Sequence, residues 1–373
     1  MLNLARLRGV IMSDILPARP FVKWVGGKGG ILAQLVPYFP KELPSRYCEP
    51  FVGGGAVYFA MGHLFKECVI NDGNCELINA YTVIRDKVEE LIPLLRLCPY
   101  EESFYLRLRH LDQTWGLENL SDVQRAARFI CLLKTCFNGL YRVNGHNFFN
   151  TPFGKYERVL ICDEARLKDC HRYLTDVPTT LTCEDYHSVL DVATPDTFVY
   201  FDPPYHPVSD TSYFTSYQTG GWDSFEQREL HDVCVELDRK GVKFMLSNSA
   251  APFINDLYSD FNLNYVKAPR SINSKGTGRS AIAEVVITNY DTYQGNASLL
   301  HPDWLKLRKG AACAHALAED FASTCPPEES LGRFAQIFGE EAAAGSRVET
   351  VRATVKRRKG GDGTRKAELK ALS

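Results

Sequence analysis

The sequence predicts an open, doubly wound α/β fold with a mostly parallel seven-stranded sheet, and three observations carry that prediction. From Phe21 to about Tyr290, short β-rich runs alternate with stretches of helical periodicity, the order expected of strands joined by crossover helices. A glycine-rich turn, Glu49-Pro50-Phe51-Val52-Gly53-Gly54-Gly55-Ala56-Val57, follows the first such run and opens a helix, where glycines let the backbone approach a ligand closely. The apolar run Phe198-Val199-Tyr200-Phe201 breaks at Asp202-Pro203-Pro204-Tyr205, because two prolines cannot continue a central strand.

Taken in order, residues 1–19 form a loose lead-in, and Met12-Ser13 offers a second translation start. Strands are expected at Arg46-Glu49, Glu67-Asn71, Thr179-Cys183, Thr197-Phe201, Lys243-Ser247, Asn264-Lys267 and Glu284-Asn289. About 100 residues separate the second from the third, too many for one crossover helix, so an inserted helical subdomain is expected there. Its helices would include Val88-Leu97, Glu101-Leu111 and Ser121-Thr135, the last with Ser121 as N-cap. The expected division is therefore a catalytic domain from segments 20–84 and 157–293, an inserted target-recognition subdomain at 85–156, and a C-terminal extension at 294–373. That extension ends in a basic, low-complexity tail around Lys356-Arg357-Arg358-Lys359, read as disordered.

With 373 residues and 45% hydrophobic content, the chain has enough apolar material for a large core. No apolar stretch has the length of a membrane span and the N-terminus lacks a signal-peptide core, so the expected address is cytoplasmic. Twelve cysteines are scattered without a Cys-x-x-Cys pair, which disfavours zinc ribbons and thioredoxin-type sites and suggests mostly reduced core residues. A formal charge of −2 disfavours a protein coated in positive charge but leaves room for a local basic cleft.

The Asp-Pro-Pro-Tyr turn is the most specific chemical signal. A carboxylate beside a fixed carbonyl gives two acceptors for an exocyclic amino group, and the tyrosine offers a ring face to a flat base, a combination that reads as methyl transfer to an amine or amide nitrogen. The glycine turn lacks Gly-x-Gly-x-x-Gly spacing, which disfavours a dinucleotide. Asp72, ending the second expected strand, suits the two ribose hydroxyls of a nucleoside cofactor, and Asp185, after the third, suits an adenine amino group. Read alone, Asp185 fits a helix N-cap equally well, a role compatible with binding. Lys23-Trp24-Val25-Gly26-Gly27-Lys28 departs from the phosphate-loop pattern and does not support an ATPase.

In this order, Lys-Trp-x-Gly-Gly-Lys, Glu-Pro-Phe-x-Gly-x-Gly, the Asp72 segment, Asn138-Gly139-Leu140-Tyr141-Arg142 and Asp-Pro-Pro-Tyr closely resemble the Dam-type DNA adenine N6-methyltransferases of the D12 class, from about Phe21 to Tyr290. Arg270-Ser271-Ile272, Gly278-Arg279 and Glu284 extend the match. The resemblance implies the methyltransferase sheet with an inserted DNA-recognition subdomain, S-adenosylmethionine as cofactor, and duplex DNA methylated at adenine within GATC. It puts Trp24, Lys28, Phe51, Gly53, Gly55, Asp72, Asp185 and Tyr186 on the cofactor side and Asp202, Pro203, Pro204 and Tyr205 at the catalytic centre. Residues 135–156 look like the family's DNA-reading hairpin. The resemblance further implies that Lys23, upstream of the hairpin, contacts the first guanine, Arg142 the guanine of the opposite strand, and that Leu140 and Pro152 pack on neighbouring base pairs. Phe137 replaces the tyrosine common at the wedge position, which keeps stacking and removes a hydroxyl.

The residues themselves agree with this assignment. Arg142 has the fork for guanine O6 and N7, Asn138 and Asn144 carry amides for base edges, and Phe137 can fill the stack left by an extruded base. The expected chemistry needs no metal and no covalent intermediate. A possible restriction endonuclease would be a separate gene product, and no obligate protein partner or membrane is expected. The alternatives are an amino-methyltransferase acting on RNA adenine or a protein glutamine, and a catalytically silent DNA-binding protein. The second would be expected to have lost Asp202, Tyr205 or Asp72, all present here. A nicotinamide-dependent oxidoreductase is disfavoured by the glycine pattern.

Overall fold

The structure, a computed structural model, describes residues 15–114, 116–208, 222–268, 282–292, 299–301 and 303–304. Seven strands form one sheet: β1 (Arg46–Glu49), β2 (Glu67–Asn71), β3 (Thr179–Thr182), β4 (Thr197–Phe201), β5 (Lys243–Ser249), β6 (Asn262–Ala268) and β7 (Ile282–Thr288). Their spatial order is β3-β2-β1-β4-β5-β7-β6. The pairs among β1 to β5 are parallel, whereas β7 runs antiparallel between β5 and β6.

The alternation of side chains along the central strands shows why the sheet is covered on both faces. In β4, Phe198 and Tyr200 enter one apolar core while Val199 and Phe201 enter the other. In β1, Tyr47 and Cys48 divide in the same way, as do Met245 against Phe244 and Leu246 in β5. A period of two with apolar residues at every position is the pattern of strands buried on both faces. The helix Ser224–Arg239 covers one face through Leu230, Val233, Cys234 and Leu237.

The other face carries most of the remaining helices. Those at Val88–Arg96, Glu102–Thr114 and Asp122–Thr135 interconnect with Cys75–Asp86 and Glu164–Asp176. Their buried residues belong to the same apolar cluster as Tyr47 and Phe198, so the long interval between β2 and β3 shares a core with the sheet. Ser121 caps its helix as expected, within a capping box completed by Gln124.

All seven expected strands match the observed ones to within two residues at each end. β5 continues two residues further than expected, through Asn248 and Ser249, because β7 pairs with both. The Arg270-Ser271-Ile272 and Gly278-Arg279 blocks lie outside the described residues, as do the basic tail and most of the lead-in. Among the described residues eight cysteines are free, and seven of these are buried, as expected of reduced core residues. Cys75 and Cys183 instead form a disulfide across 108 residues of sequence, with Cα atoms 5.3 Å apart. The parallel pairing of β2 with β3 brings these two distant positions together beyond the strand ends. Among the described residues no helix is long and apolar enough to cross a membrane.

Candidate active site

Strand order reverses between β1 and β4: β1 continues to β2 on one side and β4 to β5 on the other. The crevice beyond the C-terminal ends of strands at such a switch is where open α/β sheets bind ligands. Here it receives Phe51 and the glycine turn after β1, Asp72 after β2, Asp185 and Tyr186 after β3, and Asp202 to Tyr205 after β4.

The Asp202 turn is braced from below. Gln227 donates from Nε2 to the Pro204 carbonyl at 2.9 Å, and Asn248 Nδ2 donates to Gln227 Oε1 at 2.9 Å. Asn248 Oδ1 accepts the His206 N–H, and Ser249 Oγ donates to the His206 carbonyl. Gln227 and Asn248 are fully buried and bonded, so the turn is held from two elements at once. Sequence reasoning assigned neither. A signal for Asn248 existed in the polar Ser247-Asn248-Ser249 ending of an apolar strand, whereas a glutamine in the first turns of a helix gives none.

Asp202 keeps 19% of its side-chain exposure and pairs with Lys28, Nζ to Oδ1 at 2.7 Å. Burial pushes the Asp202 carboxyl up to about 6, with the Lys28 ammonium pulling it down and the Glu284 carboxylate pushing it up. Tyr205 donates its hydroxyl to Glu284 Oε2 at 2.9 Å, which holds the ring at the turn. Lys28, expected on the cofactor side, reaches the Asp202-Tyr205 turn: its ammonium also donates to the Gly26 carbonyl and stands 4.7 Å from the centre of the Tyr205 ring. Glu284 was noted in sequence as part of the resemblance but given no role.

At the glycine turn, Gly53 and Asn74 donate backbone N–H groups to the two oxygens of Asp72, at 2.9 and 3.0 Å. Burial raises the Asp72 carboxyl while these two donors pull it down. Asp72 thus ties the glycine turn to the start of the Cys75–Asp86 helix. Trp24 lies over Gly53 so closely that a Cβ there would sit 2.8 Å from the indole. The same indole stacks on Tyr141, centroids 5.9 Å apart, and lines a cavity of about 450 Å³ with Asn74, Arg128, Phe129 and Phe149 among its walls.

Phe51 and Tyr186 face each other at 5.2 Å, and Trp222, which sequence reasoning missed, packs against both at 5.2 and 5.3 Å. Asp185 caps the short turn Tyr186–Ser188 through the His187 N–H. Burial opposes its charge, but the His187 amide and imidazole hold its carboxyl below the ordinary range. Gly55, at the end of the turn, has φ +71°.

The segment 135–156 forms an irregular antiparallel hairpin, with bridges Cys136 to Phe153 and Val143 to Phe149 and a bond from Phe137 N–H to the Pro152 carbonyl. Phe137 is 51% exposed, and Asn138 beside it takes φ +57°. Lys23 lies against Gly139, which joins the Lys-Trp block to the hairpin. Arg142 is exposed, with its guanidinium donating to the Asn150 side chain and carbonyl. Asn144 uses its side-chain oxygen inside the loop, accepting from His146 and Phe148 N–H. Pro152 is exposed and Leu140 half-buried, and the Leu140 carbonyl accepts the Thr151 hydroxyl. Lys23, Phe137, Asn138, Leu140, Arg142, Asn144 and Pro152 are thus gathered in the hairpin and the loop packed on it, and Trp24 links them to the glycine turn.

The chain matches the family described as D12 class N6 adenine-specific DNA methyltransferase over residues 24–272. It is 42% identical over 286 residues to the Type II methyltransferase M1.LlaDCHI of Lactococcus lactis subsp. cremoris, covering 75% of this chain and 99% of that protein. Similarity to the Type II methyltransferase M.MjaIII of Methanocaldococcus jannaschii is 40% over 292 residues, covering 74% of this chain and 100% of the relative. The DNA adenine methylase of Escherichia coli strain K12 is 29% identical over 270 residues, 72% of this chain and 94% of its own length.

Proposed function

Because the chain belongs to the D12 class of N6 adenine-specific DNA methyltransferases, enzymes that methylate adenine in DNA, we propose that it uses S-adenosylmethionine and acts on an adenine flipped out of a GATC duplex. The observation that carries this reading is the Asp202-Tyr205 turn at the sheet's switch point, beside aromatic faces and the Asp72-braced glycine turn. Those groups fit a nucleoside: flat faces from Phe51 and Tyr186, a carboxylate from Asp72 beside a backbone that only glycine brings so close to Trp24. When bound, the cofactor supplies an electrophilic methyl on a sulfonium.

Asp202 and the Pro203 carbonyl would accept the two hydrogens of the adenine amino group. That favours a pyramidal nitrogen, whose lone pair is otherwise delocalised into the ring. Tyr205, held by Glu284, would stack on the flipped base. Lys28, paired with Asp202 and standing over the Tyr205 ring, would border the base and keep the carboxylate charged. Asp202 would take the released proton, or hand that role to solvent. In this reading positioning and electrostatics contribute most of the rate.

Phe137 would occupy the gap left in the stack, and Lys23 and Arg142 would read the guanines, with Asn138, Leu140, Asn144 and Pro152 against neighbouring base pairs. The partners are duplex DNA and a restriction endonuclease as a separate gene product, the latter suggested by the type II relatives.

The test is incubation with labelled S-adenosylmethionine and two duplexes differing only in a GATC or a scrambled site. Label on adenine N6 in GATC alone is expected, with Asp202→Ala abolishing transfer but keeping DNA binding. Equal labelling of both duplexes would overturn GATC, and full turnover by the variant would overturn the centre.

A further inference from the structure

We propose that Trp222 forms a third wall of the cofactor pocket and donates its indole N–H to a ring nitrogen of the adenine base, an inference that rests on the reading above. Trp222 immediately precedes Asp223, whose side chain caps the helix Ser224–Arg239 in a capping box with Glu226. Its backbone is thereby set at the start of a well-anchored helix on the crossover from β4 to β5. Its ring meets Phe51, which follows β1, edge-on at 83°, and Tyr186, which follows β3, at 53°. Three crossovers thus deliver one aromatic side chain each to the same place, on the side of the crevice where Asp185 stands.

The indole N–H is what turns packing into recognition. The Trp222 nitrogen is buried and has no hydrogen-bond partner among the described residues. A buried donor left unmade costs its full desolvation, and tryptophans that merely fill a core normally find an acceptor for this group. Indole N–H is a donor only, so the missing partner is an acceptor. A purine edge offers ring nitrogens of that kind, and flat apolar faces at Phe51 and Tyr186 suit the same base. A tryptophan here therefore favours purine nucleosides whose acceptor nitrogen is intact.

The experiment is calorimetric binding of S-adenosylhomocysteine and its 1-deaza, 3-deaza and 7-deaza analogues to the full-length wild type and to Trp222→Phe. Phenylalanine keeps an aromatic ring against Phe51 and Tyr186 but removes the N–H, and its thermal melt reports whether folding is preserved. The variant is expected to bind the parent about tenfold more weakly. One deaza analogue should lose about tenfold with the wild type and nothing further with the variant. Equal affinity of the two proteins for the parent, or deaza losses that are the same in both, would overturn the inference. A wild type that binds none of these nucleosides would overturn the cofactor reading itself. Trp222→Leu, which removes the ring as well, should weaken all four ligands more than Trp222→Phe does. If it weakens none, the residue is not a wall.

Discussion

Replacing Lys28 by Met should move the acidic limb of the methylation pH profile upward by about one to three units. The Lys28 ammonium is 2.7 Å from Asp202 Oδ1, and it is the cation that keeps this carboxyl at about 6 against burial and the Glu284 charge. An opposite charge at such a distance lowers a carboxyl by about 1–3 units, each worth about 1.36 kcal/mol. Without it the limb should fall between about pH 7 and 9, because Asp202 must be ionised to accept the amino hydrogens. At pH 7 the ionised fraction would then drop from about nine-tenths to between one-half and one-hundredth, slowing the step by about twofold to about ninetyfold. Glu284→Gln should act oppositely, removing a like charge while leaving an oxygen for the Tyr205 hydroxyl, so its limb moves down. The assay is single-turnover methylation of a GATC duplex across pH at saturating methyl donor, which removes changes in cofactor affinity from the comparison. A limb unchanged in Lys28→Met, or limbs that move together in both variants, would refute the assignment of Asp202 as the ionised acceptor.

Phe137→Ala should leave the melting temperature unchanged, since the side chain is 51% exposed, yet slow methylation of a paired adenine. Recovery of its rate on a mismatched adenine would mark the defect as base extrusion, and an unimpaired paired rate would remove the wedge role. Arg142→Ala should relax discrimination against a changed guanine by about 1–3 kcal/mol, read as the ratio of kcat/KM values on the two duplexes. Gly55→Ala should lower stability by about 1–3 kcal/mol in a thermal melt, because the turn needs φ +71° and a Cβ would meet the Tyr81 hydroxyl at 2.5 Å. A melt equal to wild type would mean that the turn relaxes freely.

What was legible in the sequence was what local chemistry announces. β4 is written in an unbroken apolar run stopped by two prolines, and the start of the Asp122–Thr135 helix in its N-cap Ser121. The turn residues Asp202 and Tyr205 and the glycine turn could be read because their residue types are unusual for their position. The residues that support them could not. Gln227, Asn248 and Glu284 reach the turn from separate elements, and nothing in a run of sequence says which distant amide will meet a carbonyl. The resemblance puts Lys28 on the cofactor side, and its flexible four-carbon stem, whose reach no local pattern states, brings its charge to Asp202. Asn144 illustrates the reverse: an amide suited to base edges also closes its own loop, and position alone does not separate the two.

The bridge between Cys75 and Cys183 makes the intervening chain a closed ring. The hairpin at 135–156 lies within this ring, which closes three residues after Asp72 and two before Asp185. The ring also carries β3, paired with β2 in the sheet, and helices that share the sheet's core, so covalent closure and packing hold the hairpin's base to the same edge. Reduction of the bridge should therefore loosen the ring's ends beside Asp72 and Asp185 while the packed attachment persists.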